Sequence, residues 1–149
     1  MVPRHSHAIP LRILIATGDT RTGRTLAEQV RRAGHHPILA TDGPMVLEWF
    51  EREAVHPHSI DLAVLDAGLP GYPGVALAAC ARNNELGMPL ILMQDTRVRI
   101  GTEWLARLGL LGILRSPVDA AEFGQLLRDI TQPRIARGTA APWHRRTAT

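Results

Sequence analysis

The sequence predicts an α/β fold, a doubly wound five-stranded parallel sheet covered by helices on both faces. Five short apolar runs recur along the chain, separated by segments whose apolar residues keep helical spacing. The runs are nearly continuous rather than alternating, as strands buried on both faces require. At 149 residues and 45% hydrophobic content, the chain can bury one sizeable core but not two ordinary domains.

The strands are expected at Arg12 to Thr17, Pro37 to Thr41, Asp61 to Asp66, Pro89 to Gln94 and Gly112 to Arg115. In the first helix Leu26, Val30 and Ala33 form an apolar stripe that stops at Gly34, where a helix-ending glycine belongs. Val46, Leu47 and Phe50 mark the second helix, with Asp42 as its N-cap; Val75, Leu77, Ala78 and Ala81 mark the third. Ile100, Trp104 and Leu108 suggest a fourth, interrupted by Gly101. Phe123, Leu126, Leu127 and Ile130 fall at i, i+3, i+4 and i+7, the clearest amphipathic stripe in the chain. Periodicity stops at Thr131, so residues 131–149 and 1–10 are expected to be disordered ends around a domain at 11–130.

All 17 basic residues are Arg, and the formal charge of +3 is carried by the ends. Between Leu11 and Ile130 there are 12 Arg against 14 acids, whereas Arg4, Arg134, Arg137, Arg145 and Arg146 flank the body with no acid to balance them. The four tail Arg lack a regular spacing or a folded reader, so nucleic-acid binding is not expected. One cysteine, Cys80, excludes an intrachain disulfide framework. No apolar stretch is long enough to span a bilayer and no signal-peptide core is visible, so a cytoplasmic location is expected.

In an open parallel sheet, ligands bind at the carboxyl ends of the strands. The residues there are Thr17, Gly18 and Asp19 after strand one, Asp66 ending strand three, Gln94 and Asp95 after strand four, and Ser116 and Pro117 after strand five. Asp66 follows an apolar strand directly and precedes the turn AGLPGYPG. A carboxylate so placed serves chemistry or a cation; the plainer alternative is a cap or turn former.

The segment DLAVLDAGLPGYPGVAL resembles the phosphoacceptor strand and loop of response-regulator receiver domains, with Asp66 at the phosphorylated position. RRAGHHPILATDG, PLILM and GILRSPVDAAEF resemble other receiver landmarks in matching order, covering about residues 11 to 130. The resemblance implies the flavodoxin-like receiver fold. It also implies what is missing: the acidic pair that holds Mg²⁺ is replaced by Thr17 and Gly18, the Ser or Thr after strand four by Gln94, and the Lys after strand five by Ser116. Mg²⁺ wants octahedral oxygen coordination, and only Asp19, Asp66 and the Gly68 carbonyl remain as ligands of the family type. No cofactor is therefore expected, with Mg²⁺ admitted only if the chain works as a phosphorelay protein. Phosphoryl transfer depends on positioning and charge neutralisation, both weakened here. Strand alternation turns Arg115 away from the place of the missing Lys. Ser116-Pro117 sits where receivers commonly hold a cis peptide.

The seven His fall in ends and loops, as His5, His7, His35, His36, His56, His58 and His144, without ligand-spaced partners, and are expected to be solvated. Cys80 is expected in the core and Trp49 half-buried. Where many receivers carry acids entering strand five, this chain reads GLLGIL; Trp104, Leu110, Leu111 and Ile113 then make an apolar contact face, unless Leu111 tucks under helix four. The expected function is a stand-alone atypical receiver, not an enzyme and without an output domain. It would act as a phosphorylation-independent interaction module in bacterial signal transduction, a homodimer or a partner of a histidine kinase, another receiver or an output protein. The alternative is a phosphorelay protein that accepts phosphate on Asp66.

Overall fold

The computed structural model describes residues 9–94, 101 and 103–131; the side chains of Trp104 and Thr131 are outside the description. The expected disorder of 1–8 and 132–149, Asp95 and the helical role of Ile100 lie outside the described residues. Among the described residues five strands, β1 (Arg12–Ala16), β2 (His36–Ala40), β3 (Leu62–Asp66), β4 (Leu90–Gln94) and β5 (Leu110–Arg115), alternate with five helices. These are α1 (Thr20–Arg32), α2 (Gly43–Val55), α3 (Gly74–Asn83), α4 (Glu103–Leu108) and α5 (Ala120–Thr131). The sheet is parallel throughout, in the order β2-β1-β3-β4-β5. No helix among the described residues is long and apolar enough to cross a membrane.

The order reverses at β1, so the carboxyl ends of β1 and β3 lie side by side at the switch point. Ala16 pairs with Leu65, which makes Thr17 and Asp66 neighbours one step beyond. Two apolar layers hold that edge in place. Leu14, Leu65, Leu92, Phe50 and Leu77 pack on the α2–α3–α4 face, and Ile13, Ile15, Leu26, Phe123 and Leu127 on the α1–α5 face. Phe123 and Leu127 are fully buried, so the amphipathic stripe of α5 is the half of the second layer that sequence periodicity marks.

Helix ends follow side-chain chemistry. Asp19 caps α1 by accepting from the Arg21 N–H at 3.1 Å, and Asp42 caps α2 by accepting from the Met45 N–H at 2.9 Å. Gly34 takes φ 88° just past α1, a backbone that other residues adopt at a cost.

β5 begins at Leu110, two residues earlier than expected, because a register shift lets Leu90 face Leu110 and Ile91 face Gly112. Leu111 is the extra residue of that irregularity. Leu110 then enters the α3–α4 core with no exposed surface, which corrects its expected place on a contact face. Leu111 packs half-buried against the α1–α5 layer rather than under α4. Ile113 is half-buried in the same edge strand.

At the other edge, the alternation of β2 leaves the backbone of Pro37, Leu39 and Thr41 facing outward. Pro37 has no N–H, and the Thr41 N–H is turned to the Met45 sulfur at 3.5 Å, so two of these three positions offer no donor to another strand.

Candidate functional site

Four loops meet at the carboxyl edge around Asp66. The Thr17 N–H donates to the Ala40 carbonyl at 3.0 Å, extending the β1–β2 ladder by one residue and burying Thr17 to 3% exposure. Its hydroxyl donates to Asp66 Oδ2 at 2.8 Å and accepts from the Asp19 N–H at 3.1 Å. The other Asp66 oxygen, Oδ1, accepts from the Gly68 N–H at 2.9 Å. Both carboxylate oxygens therefore have a neutral donor from the chain.

Asp19 faces the same depression but spends its oxygens on α1. Oδ1 accepts from the Arg21 N–H and Oδ2 from the Thr22 hydroxyl at 2.8 Å. The Thr22 hydroxyl holds this carboxyl below its ordinary value, helped by the Arg21 N–H and opposed by slight desolvation of a side chain that is itself exposed. On the far side the Ser116 N–H donates to the Gln94 carbonyl at 2.8 Å, and the Ser116-Pro117 bond is cis, as expected. The depression has a volume of about 330 Å³ and is lined by Asp19, Thr22, Asp66, Ala67, Gly68, Ser116 and Pro117.

The structure thus brings Asp19, Asp66, Gly68 and Ser116 together, with Thr17 as a buried support. Gln94 ends β4 half-buried and outside the lining; Arg115 is exposed and also outside it, as alternation requires. Gly18 is set apart by a close approach. A Cβ there would lie 2.9 Å from Cγ and Cδ of Pro70, so the β3–α3 loop already fills the room an acidic side chain would need.

These donors do not fit Mg²⁺. The Thr17 hydroxyl is committed to Asp66, Asp19 is committed to the cap, and Gly18 faces a proline ring. Among the described residues no group of three or more His, Cys, Asp or Glu is arranged to hold a metal ion. Among the described residues no Arg lines the depression, so none of them supplies there the positive charge that phosphoryl transfer uses.

No family model matches the sequence. Over 82 residues the chain is 33% identical to YbdJ of Bacillus subtilis, a transcriptional regulatory protein; the match covers 55% of this chain and 34% of that relative. The non-phosphorylated receiver domain of HemR from Leptospira biflexa superposes with TM-score 0.70 at 23% identity, over 82% of this chain and 94% of that one. The CheY-like receiver from Methanospirillum hungatei gives 0.69 at 20% identity, over 87% and 100%. The fold is that of a response-regulator receiver domain. In this receiver fold Asp66 occupies the end of β3, the place the sequence resemblance gave it.

Several supports of the receiver fold were not visible beforehand. Thr17 reads as a lost acid in sequence and is a hydrogen-bonding residue in structure; the signal was its position beside Asp66 across two strands that both end in apolar runs. His35 corrects the expectation of solvated histidines. It is 6% exposed, its Nδ1 accepts from the Leu11 N–H at 2.9 Å, and burial, then the neighbouring His36, lower its pKa against a smaller opposing pull from Asp61.

Cys80 is half-buried beside a groove between α2 and α3 rather than in the core. Trp49 is half-buried as expected, with the Arg52 guanidinium 4.4 Å above its ring centre. Arg82 donates to the carbonyls of Leu108 (2.7 Å), Leu86 (2.6 Å), Met88 (3.0 Å) and Gly109 (3.3 Å), and its burial lowers its pKa. No pattern in the sequence foretells this clamp.

Proposed function

We propose that this receiver-fold domain regulates by binding protein partners and that its state is set without phosphate. The observation that carries the reading is that each Asp66 oxygen accepts from a neutral donor, Thr17 and Gly68, while no cation among the described residues lines the site and Pro70 lies against Gly18. A phosphoacceptor needs its carboxylate oxygen free to attack and its charge offset by metal and ammonium. Here the carboxylate is held by neutral donors instead. Mg²⁺ has no place in this reading, and the domain is a binding module rather than an enzyme.

The partners are of the kinds that receivers meet: a histidine kinase, another receiver or an output protein. Self-association through α4, β5 and α5 belongs to the same proposal. β5 is the sheet edge, and Leu111 and Ile113 remain half-buried there. A two-fold contact repeats each apolar gain on both chains. Leu110 contributes only core, and Trp104 lies outside the described side chains.

Sedimentation of the full chain at tens of micromolar, with no phosphodonor, tests the self-association. The wild type is expected to run as a dimer and the Leu111→Asp variant as a monomer that keeps its circular dichroism. An Ile113→Asp variant provides a second probe if Leu111→Asp fails to fold. A monomeric wild type, or a dimer indifferent to folded variants, refutes this interface.

A further inference from the structure

A groove runs between α2 and α3, on the face of the sheet opposite α1 and α5. Leu47, Phe50 and Ala54 line it from α2, Cys80 and Asn84 from α3 and its cap, and Leu86 from the turn that follows. Phe50 and Leu86 are buried and Leu47 is half-buried, so the floor is apolar. The volume is about 250 Å³. Pockets that take a whole small molecule hold roughly 300–1,000 Å³, so one large side chain suits this groove better.

The mouth of the groove is acidic. Glu51 lines it, Glu48 stands one turn earlier on α2, and Glu85 lies between the lining residues Asn84 and Leu86. All three are exposed, and among the described residues none of them has an ion pair. The Arg side chains of the same two helices are engaged elsewhere: Arg52 stacks on Trp49 at 4.4 Å, and Arg82 donates to four carbonyls. An apolar slot bordered by unpaired carboxylates matches an aromatic residue that stands beside cations.

The chain carries such a segment beyond α5. Pro142, Trp143, His144, Arg145 and Arg146 follow one another, and Trp143 is the one Phe, Tyr or Trp in residues 1–8 and 132–149. The helices run from the carboxyl edge of the sheet back to its amino edge, so α5 ends toward the same edge as Ala54 and Asn84. Twelve residues lead from Thr131 to Trp143. Extended, they reach about 40 Å, against a radius of gyration of about 14 Å for a domain of this size.

We propose that residues 142–146 seat on this groove of their own domain, with the Trp143 indole between α2 and α3 and Arg145 and Arg146 against Glu48, Glu51 and Glu85. Burial of the indole supplies the attraction, and the ion pairs fix its orientation. The sequence alone predicts a disordered end; the groove gives five of its residues a place. The contact lies away from Asp66 and from β5, so its test does not depend on how the state of Asp66 is set.

Cys80 lines the groove and is the one cysteine of the chain, so its alkylation by iodoacetamide, read by intact mass on the full chain, reports whether the groove is covered. Trp143→Ala is expected to label at least about 5-fold faster than the wild type, the ratio for a groove covered in roughly four molecules of five. Arg145→Glu with Arg146→Glu should label at least about 3-fold faster. Adding Glu48→Arg and Glu51→Arg to that variant should restore protection, and Glu48→Arg with Glu51→Arg alone controls for their local effect on the thiol. Trp143, Arg145 and Arg146 lie beyond α5, and Glu48 and Glu51 are exposed, so no core residue is replaced.

A Trp143→Ala chain that labels at the wild-type rate overturns the proposal, as does a combined variant no better protected than either charge reversal alone. Protection of the wild type that grows as the chain is concentrated from about 1 to 100 µM overturns it in favour of a second copy as the occupant.

Discussion

Replacing Thr17 by Val removes one oxygen and keeps the shape of the side chain, so it isolates the contact that holds Asp66. Thr17 is 3% exposed, and its hydroxyl makes two bonds, one to a carboxylate at 2.8 Å and one from the Asp19 N–H at 3.1 Å. A hydrogen bond to a charged group contributes about 1.5–3 kcal/mol and a neutral one about 0.5–1.5 kcal/mol, so roughly 2–4 kcal/mol should be lost. With a urea slope of about 2 kcal/mol/M for a chain of this size, the unfolding midpoint should fall by about 1–2 M at unchanged slope.

Thr17→Ser keeps both bonds and should recover most of the loss, because it gives up only a methyl group worth about 1 kcal/mol. A double-mutant cycle with Asp66→Ala should return a coupling of about 1–2 kcal/mol. A midpoint shift below about 0.3 M for Thr17→Val, or a coupling indistinguishable from zero, would refute the idea that Thr17 holds Asp66.

Arg82→Ala should destabilise the fold by about 2–4 kcal/mol in the same assay, since four carbonyl partners lose their donor. Arg82→Lys should recover less than half, because an ammonium cannot reproduce the guanidinium fork; full recovery would show that charge alone suffices. His35 makes stability depend on pH. Its pKa is lowered in the folded state, so its contribution is fully present above the ordinary value of 6.5 and declines as pH falls from there through the lower folded value. Urea midpoints of the wild type should therefore drop between pH 7 and 5 more than those of His35→Asn, whose amide oxygen can still accept from the Leu11 N–H; parallel profiles would contradict this.

The five strands and the burial of α5 were legible because apolar runs and periodic stripes report burial directly, whereas the order of the strands was implied only by the resemblance to receiver domains. β5 was placed two residues late because Gly109 and Gly112 break the apolar run, while the irregularity that accommodates Leu110 and Leu111 depends on pairing with β4. Proximity at the site was legible from strand ends, which brought Asp19, Asp66, Gly68 and Ser116 into view. The roles of Thr17 and His35 were not, since each depends on a partner 49 or 24 residues distant. The meeting of Gly18 with Pro70 is likewise a contact between two loops, and a substitution table reads it only as a missing acid.

The central claim is that Asp66 does not function as a phosphoacceptor. Incubation of the full chain with acetyl phosphate and Mg²⁺, followed by mass spectrometry of the acyl phosphate trapped by borohydride reduction, tests it most directly. Labelling at Asp66 should stay at background, and Mg²⁺ at millimolar concentration should leave the amide resonances of Thr17, Asp19 and Gly68 unmoved. Stoichiometric modification of Asp66, accompanied by a Mg²⁺ titration with sub-millimolar affinity, would contradict the account and make the domain a phosphorelay protein.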